Sequence, residues 1–268
     1  MPEGPELHLA AIFVNKACCG RIFSGKVLKS AVSTRNPEVD WDEKEYTISA
    51  SARGKELKIT LTSKAKHLDV ILRFGMSGKF AFGSVDDMQK HSHLNFYTKT
   101  EEKVLSFVDY RRFGKWEPGG SWGSDRGPCV ITEYEAFREN VLENLEKSAF
   151  NRPICEAMLN QSFFNGIGNY LRAEILLRCH VAPFTCARDV LEPLKSGVKN
   201  ETPDLLELCN LLPHEVLKLR HDPEEGDDHS SFNDWLQCYY NPQMKSLADH
   251  NNRTIWFQGH PGPMAPKG

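Results

Sequence analysis

The 268-residue chain contains no C-x-x-C pair and no Cys/His set with zinc-finger spacing. Its eight cysteines, Cys18, Cys19, Cys129, Cys155, Cys179, Cys186, Cys209 and Cys238, therefore read as reduced, mostly structural thiols. His91-Ser92-His93 places two imidazoles on one face of an expected strand, but no third ligand lies nearby in sequence, so no metal is expected. No apolar run approaches the roughly 20 residues of a membrane span, and the N-terminus lacks the basic-then-apolar pattern of a secretory signal. Membrane contact is not expected, and cytosolic or nuclear residence follows. An excess of positive charge is also missing, since the net formal charge is −3. The distribution matters more than the sum. Residues 201–228 carry nine acids (Glu201, Asp204, Glu207, Glu215, Asp222, Glu224, Glu225, Asp227 and Asp228) against Lys218 and Arg220, a local −7 that leaves +4 for the remainder. Because phosphate attraction is local at physiological salt, this balance permits a nucleic-acid partner without establishing one.

The length suits two domains, each able to bury a core. One helix opens the chain, with Leu7, Ala10, Ala11, Val14 and Cys18 at helical spacing and Gly20 ending it. Period-two alternation follows in Leu57, Ile59, Leu61; Val70, Leu72, Phe74; Phe80, Phe82; and Leu94, Phe96. Turn signals at Arg53-Gly54, Gly75, Ser77-Gly78 and Gly83-Ser84 separate these runs, and short strands at such spacing predict a β-sandwich. Composition changes after Trp116: the segment from Glu117 to Pro128 is rich in Gly, Pro and Ser and reads as an interdomain linker. From Thr132 onward helical periodicity dominates. It predicts helices over Glu133–Leu145, Arg152–Leu159 and Tyr170–Cys179, and near 187–195, 203–211 and 213–220. Thr254-Ile255-Trp256-Phe257 before Gln258-Gly259 reads as a strand and turn. The fold class is α+β. A sandwich domain over 2–120 carries an N-terminal helix, a linker follows over 121–131, and a helical domain covers 132–268.

Chemistry concentrates at two places. Removal of the initiator before Pro2 would leave a free secondary amine, which can condense with an aldehyde to a cationic iminium and activate the adjacent carbon for elimination. Glu3 and Glu6 could transfer protons beside it, or simply suit the first turn of a helix, where the dipole favours acids by roughly 0.3–1 kcal/mol. The run Asn165-Gly166-Ile167-Gly168-Asn169-Tyr170 sets a Gly-rich turn before a strong helix. Its free amides and the Asn169 side chain could converge on an anion such as a phosphate; alternatively Asn169 caps its own helix.

Five motifs then occur in order: Pro2-Glu3-Gly4-Pro5-Glu6, Arg53-Gly54-Lys55, Arg73-Phe74-Gly75-Met76-Ser77-Gly78, Asp109-Tyr110-Arg111-Arg112-Phe113-Gly114 and Asn165-Gly166-Ile167-Gly168-Asn169-Tyr170. Together they resemble the formamidopyrimidine-DNA glycosylase/endonuclease VIII family, in its vertebrate endonuclease VIII-like branch, over residues 2 to about 266.

The resemblance implies a bifunctional DNA glycosylase and abasic-site lyase of base excision repair, acting on oxidised pyrimidines, formamidopyrimidines, hydantoins and abasic sites. Pro2 would attack C1′, Glu3 would protonate the sugar ring oxygen, Glu6 would support that end of the site, and Lys55 would contact phosphate and assist proton transfer. Met76, Arg111 and Phe113 match the trio that fills the void left by an extruded nucleotide. The apolar groups would replace lost stacking, and the guanidinium would bond the orphaned base. Arg112 and His91 would contact phosphates. The second domain would be a helix-two-turn-helix module with Asn169 on a phosphate, followed by a β-hairpin finger. Only Cys238 lies in that region, so the finger resembles the zincless branch. Arg253 would keep its phosphate contact and serve the second elimination, and Lys245, in the loop Asn241-Pro242-Gln243-Met244-Lys245, would approach the flipped base.

No metal or organic cofactor is expected. The expected partner is damaged DNA, as duplex, bubble or single strand, bound by a monomer in the nucleus, with the mitochondrion as the alternative compartment. Were the chain to extend past Gly268, that tail would carry sites for repair-protein partners or a nuclear signal. The rival reading is a non-catalytic binder of damaged or structured DNA.

Overall fold

The computed structural model describes residues 2–197, 201–219 and 230–267. Met1, Arg220 and the acids Asp222, Glu224, Glu225, Asp227 and Asp228 lie outside the described residues. The chain divides into two compact units: Met1–Pro2 with Glu6–Gly123, and Glu3–Pro5 with Ser124–Gly268. Among the described residues no helix is long and apolar enough to cross a membrane.

In the first unit, helix α1 (Gly4–Cys18) buries Leu7, Ala11, Val14 and Cys18, a stripe recurring every three or four residues. Nine strands follow: β1 (Phe23–Lys26), β2 (Leu28–Lys29), β3 (Asp42–Arg53), β4 (Glu56–Thr62), β5 (His67–Arg73), β6 (Lys79–Ser84), β7 (Ser92–Tyr97), β8 (Lys103–Val108) and β9 (Lys115–Pro118). They form two antiparallel sheets, in the orders β1-β3-β4-β5-β9 and β2-β7-β8-β6. Alternate residues of β4 (Leu57, Ile59, Leu61) and β5 (Val70, Leu72) meet Leu94 and Phe96 of β7 and Leu105 and Phe107 of β8 in one core, the sandwich expected from period two. Strand β8 escapes that pattern because Val104 through Val108 are all buried, leaving no alternation to read. Glu117 and Pro118, read as linker, belong to β9 and pair with Ile71 and Val70. Pro118 is tolerated there because it ends a strand at the sheet edge.

The second unit contains α2 (Tyr134–Glu143), α3 (Ile154–Ala157), α4 (Asn169–Arg178), α5 (Ala187–Leu191), α6 (Leu205–Leu219) and α7 (Ser230–Trp235), with short 3₁₀ turns at Ser148–Asn151 and Glu192–Ser196. The helix expected over Arg152–Leu159 shrinks to the single turn α3 behind Pro153, which takes an extended backbone. The two helices expected around Pro213 are one. Leu205, Leu206, Cys209, Leu212, Pro213 and Val216 form an unbroken buried stripe, and packing on α4 offsets the hydrogen bond that proline removes. Cys129, Val130 and Ile131, assigned to the end of the linker, are apolar and buried in the second core, and Val130 N–H bonds the Asn165 carbonyl (3.0 Å). A β-hairpin of β10 (Lys245–Ala248) and β11 (Thr254–Phe257) closes the chain.

Candidate functional site

Glu3–Pro5 fold with the second unit. Gly4 N–H donates to the Gly166 carbonyl (2.8 Å), and the Glu3 carboxylate accepts from the amides of Tyr170 (2.8 Å) and Leu171 (3.3 Å) in the first turn of α4. A helix start leaves such amides free and favours negative charge. Glu3, itself only 1% exposed, therefore occupies the Tyr170 and Leu171 amides of that turn. Gly168 makes the room: a Cβ there would lie 2.2 Å from Glu3 Cδ. The turn is shaped by Gln161, whose Nε2 donates to the Leu159 and Ile167 carbonyls (both 3.0 Å) and whose Oε1 accepts from Gly166 N–H (3.1 Å). Pro2 and Glu6 flank Glu3 in sequence and are half-buried.

Asn169 does not cap its own helix. Gly168 holds the cap position, and Asn169 Nδ2 donates instead to the Thr254 carbonyl of β11 (3.0 Å). Its Oδ1 is buried, with no hydrogen-bond partner among the described residues. Burial pushes the neighbouring Tyr239 phenol above its ordinary pKa, against an opposing hydrogen bond from Asn169.

The hairpin is tied down by buried charged side chains. Arg172, fully buried on α4, donates to the Asp249 carboxylate and the Cys155 carbonyl (both 2.8 Å). Asp249 Oδ1 then accepts from the amides of Asn251 and Arg253 (both 2.9 Å), closing the turn in which Asn252 takes φ 58°. Burial raises the Asp249 pKa, but the Arg253 amide, Arg172 and the Asn251 amide together outweigh it and hold the carboxyl below its ordinary value. Glu174 accepts from the amides of Gln237, Cys238 and Tyr239 (2.8–3.1 Å), and Glu156 accepts from His250 N–H (2.9 Å). Arg253 is exposed beyond this anchor. Lys245 is not in a loop: it opens β10 opposite Phe257, with its ammonium on the Gly259 carbonyl (2.9 Å). Among the described residues no three His, Cys, Asp or Glu side chains converge as a metal-holding group.

Within the first unit, Lys55 sits at the β3–β4 hairpin tip, where Arg53 pairs with Glu56 and Gly54 takes φ 55°. Glu56, buried beside it, is fixed by Arg73 (2.6 Å) and by Gly123 N–H (2.9 Å). Two further loops carry Met76 and Phe113, which are 43% and 50% exposed, unusual for such large apolar groups. The loops touch backbone to backbone: Gly75 takes φ 64°, and a Cβ there would lie 2.7 Å from Phe113 C. Ser77 Oγ donates to the buried Asp109 carboxylate and accepts from Arg111 N–H (3.1 Å); Asp109 Oδ2 accepts from Gly114 N–H (2.7 Å). The Arg111 guanidinium lies over the Phe113 ring, 5.5 Å from its centroid. Arg112 is held at φ 57°, and the His91 ring stands edge-on to Tyr110.

Sequence reasoning missed Asp109, Gln161, Arg172, Glu174 and Asp249 as organisers. A buried charge flanked by unremarkable neighbours leaves no periodic signal. Asp109 stood inside a recognised motif and could have been found there.

A strand-rich unit opened by a helix, followed by a helical unit ending in a hairpin, is the fold of the formamidopyrimidine-DNA glycosylases. The crystal structure of MutM (Fpg) from Thermus thermophilus superposes with a TM-score of 0.72 at 20% identity, covering 96% of this chain and 97% of that one. The Lactococcus lactis Fpg in complex with abasic-site DNA gives 0.72 at 20% identity, covering 95% and 97%. The model of the formamidopyrimidine-DNA glycosylase N-terminal domain matches residues 1–116, and that of the endonuclease VIII-like 1 DNA-binding region matches residues 228–266. Endonuclease 8-like 1 of Mus musculus is 54% identical, and that of Homo sapiens 52%, each alignment covering all of this chain and 75% of the relative. The chain belongs to the endonuclease 8-like 1 branch of the formamidopyrimidine-DNA glycosylase family.

Proposed function

We infer that the chain is a bifunctional DNA glycosylase and abasic-site lyase of base excision repair. The observation that carries the reading furthest is the burial of Glu3 on the Tyr170 and Leu171 amides, which fixes the residue bonded to Pro2. Once Met1 is removed, the Pro2 amine attacks C1′ of the damaged nucleotide and the oxidised base departs. Glu3 protonates the ring oxygen as the sugar opens, and the resulting iminium is the electron sink for elimination of the 3′ and then the 5′ phosphate. Glu6 supports this end of the site. Lys55 contacts phosphate and assists proton transfer, and Arg253 serves the second elimination. Met76, Arg111 and Phe113 replace the extruded nucleotide, an event costing a few kcal/mol of stacking and pairing. His91, Arg112 and Asn169 bind backbone phosphates, the last from a helix-two-turn-helix module, and Lys245 meets the flipped base. The enzyme works as a nuclear monomer on duplex, bubble or single-stranded DNA.

Borohydride trapping on a duplex with one abasic site tests this. A covalent complex in the wild type, lost in Pro2→Gly and when one residue precedes Pro2, is the expected result. Tight binding without trapping, with Pro2 verified as free, would overturn the lyase and leave a non-catalytic DNA binder.

A further inference from the structure

Beside the Arg111–Phe113 loop lies a cavity of about 340 Å³ whose far wall is the turn Val32–Asn36. This turn bears no motif, yet it is stitched to the loop by Asn36. The Asn36 amide donates to the Gly114 carbonyl (3.1 Å) and to Ser33 Oγ (3.2 Å), and its oxygen accepts from Trp116 N–H (3.3 Å). The Trp116 indole N–H then bonds the Pro37 carbonyl (3.0 Å), and Lys29 Nζ holds the Asn36 carbonyl (2.9 Å). The stitching places Arg35 in the same cavity as Arg111 and Arg112, with the hydroxyl-bearing Ser33 and Thr34 beside them and no carboxylate among the lining residues. Three guanidiniums and two hydroxyls form a donor set suited to phosphodiester oxygens. Arg35 is exposed, and no ion pair among the described residues accounts for its presence there.

We propose that this cavity binds a phosphodiester of the strand opposite the lesion, with Arg35 as the residue that grips it. The inference rests on the reading of Arg111 and Phe113 as the group that enters the duplex and faces the orphaned base. A wall shared with Arg111 then meets that base's own strand. Arg35 contributes duplex affinity and leaves the chemistry at the lesion strand untouched.

The test is anisotropy titration of wild type and Arg35→Gln on a duplex with a tetrahydrofuran abasic analogue, and on its lesion strand alone, across a salt series. Losing one phosphate contact should weaken duplex binding by about 5–10-fold and reduce the log–log salt slope by about 1. Single-strand binding should stay within about twofold, and Arg35→Lys should recover most of the loss. Neutral methylphosphonates opposite the lesion should weaken wild type several-fold more than Arg35→Gln. Equal losses on duplex and single strand, coupling to methylphosphonates on the lesion strand, or unchanged duplex affinity would each overturn the assignment. Failure of the parent reading would look different: Arg111→Ala and Phe113→Ala would leave wild-type affinity for the abasic-analogue duplex unchanged.

Discussion

The Ser77 hydroxyl donates to the Asp109 carboxylate across 32 residues of sequence, joining the loop that carries Met76 to the loop that carries Arg111 and Phe113. The same oxygen accepts the Arg111 amide, so one hydroxyl holds both loops and leaves Asp109 satisfied on its other side by Gly114. Removing it leaves a buried carboxylate and an amide each short of a partner, at a cost of about 1–3 kcal/mol.

Ser77→Ala should therefore slow excision of an oxidised base from duplex DNA by roughly 5–150-fold, the range that cost implies. Cleavage of a preformed abasic site should fall less, since extrusion is easier without a paired base. Single-turnover rates on the two duplexes decide it; equal losses on both would show that the bond does not serve the inserted residues.

Gly168→Ala forces a methyl against the Glu3 carboxylate. Overpacking of this kind costs about 1–3 kcal/mol in stability, and the displacement of Glu3 should reduce borohydride trapping by at least about tenfold. A melting curve beside the trapping assay separates the two effects. Trapping at wild-type rates would mean that the position of Glu3 does not matter to the amine beside it.

Asp249→Ala strands the buried Arg172 guanidinium and frees the Asn251 and Arg253 amides, and loss of one member of such a pair costs about 3–5 kcal/mol. Thermal melting should show the loss, and hydrogen exchange should quicken first at residues 249–253. The double variant Arg172→Met/Asp249→Leu should recover part of the stability, because no unpaired charge remains.

The acid limb of stability should involve His93. Burial holds its imidazole below the ordinary 6.5, against the hydrogen bond to the Asp109 carbonyl and the Asp109 charge, while His91 and Arg112 push the same way as burial. The folded state thus disfavours the proton. The stabilisation is complete above about pH 6.5 and is lost as pH falls through the lowered folded value. Melting temperatures between pH 7 and 5 should fall less steeply in His93→Gln, and parallel profiles would remove His93 from the account.

The sequence by itself determined the α+β class, the strands whose outer faces are wet, the amphipathic helix α1 and the ordered motifs that mark the family. These features are local: a period of two or 3.6, a glycine where φ must be positive, or short runs that each carry their own chemistry. Tertiary structure alone decided the rest. Strand β8 is buried on both faces and so shows no alternation, and α6 runs through Pro213 because its buried stripe continues. The carboxylate on the Tyr170 and Leu171 amides comes from residue 3, 167 residues away in sequence, and only the fold delivers it there. Arg35 meets Arg111, and Arg172 meets Asp249, only because hydrogen bonds between distant segments bring them there. Pairings at such separations depend on which loops close and which buried charges find partners, and no spacing along the chain encodes that.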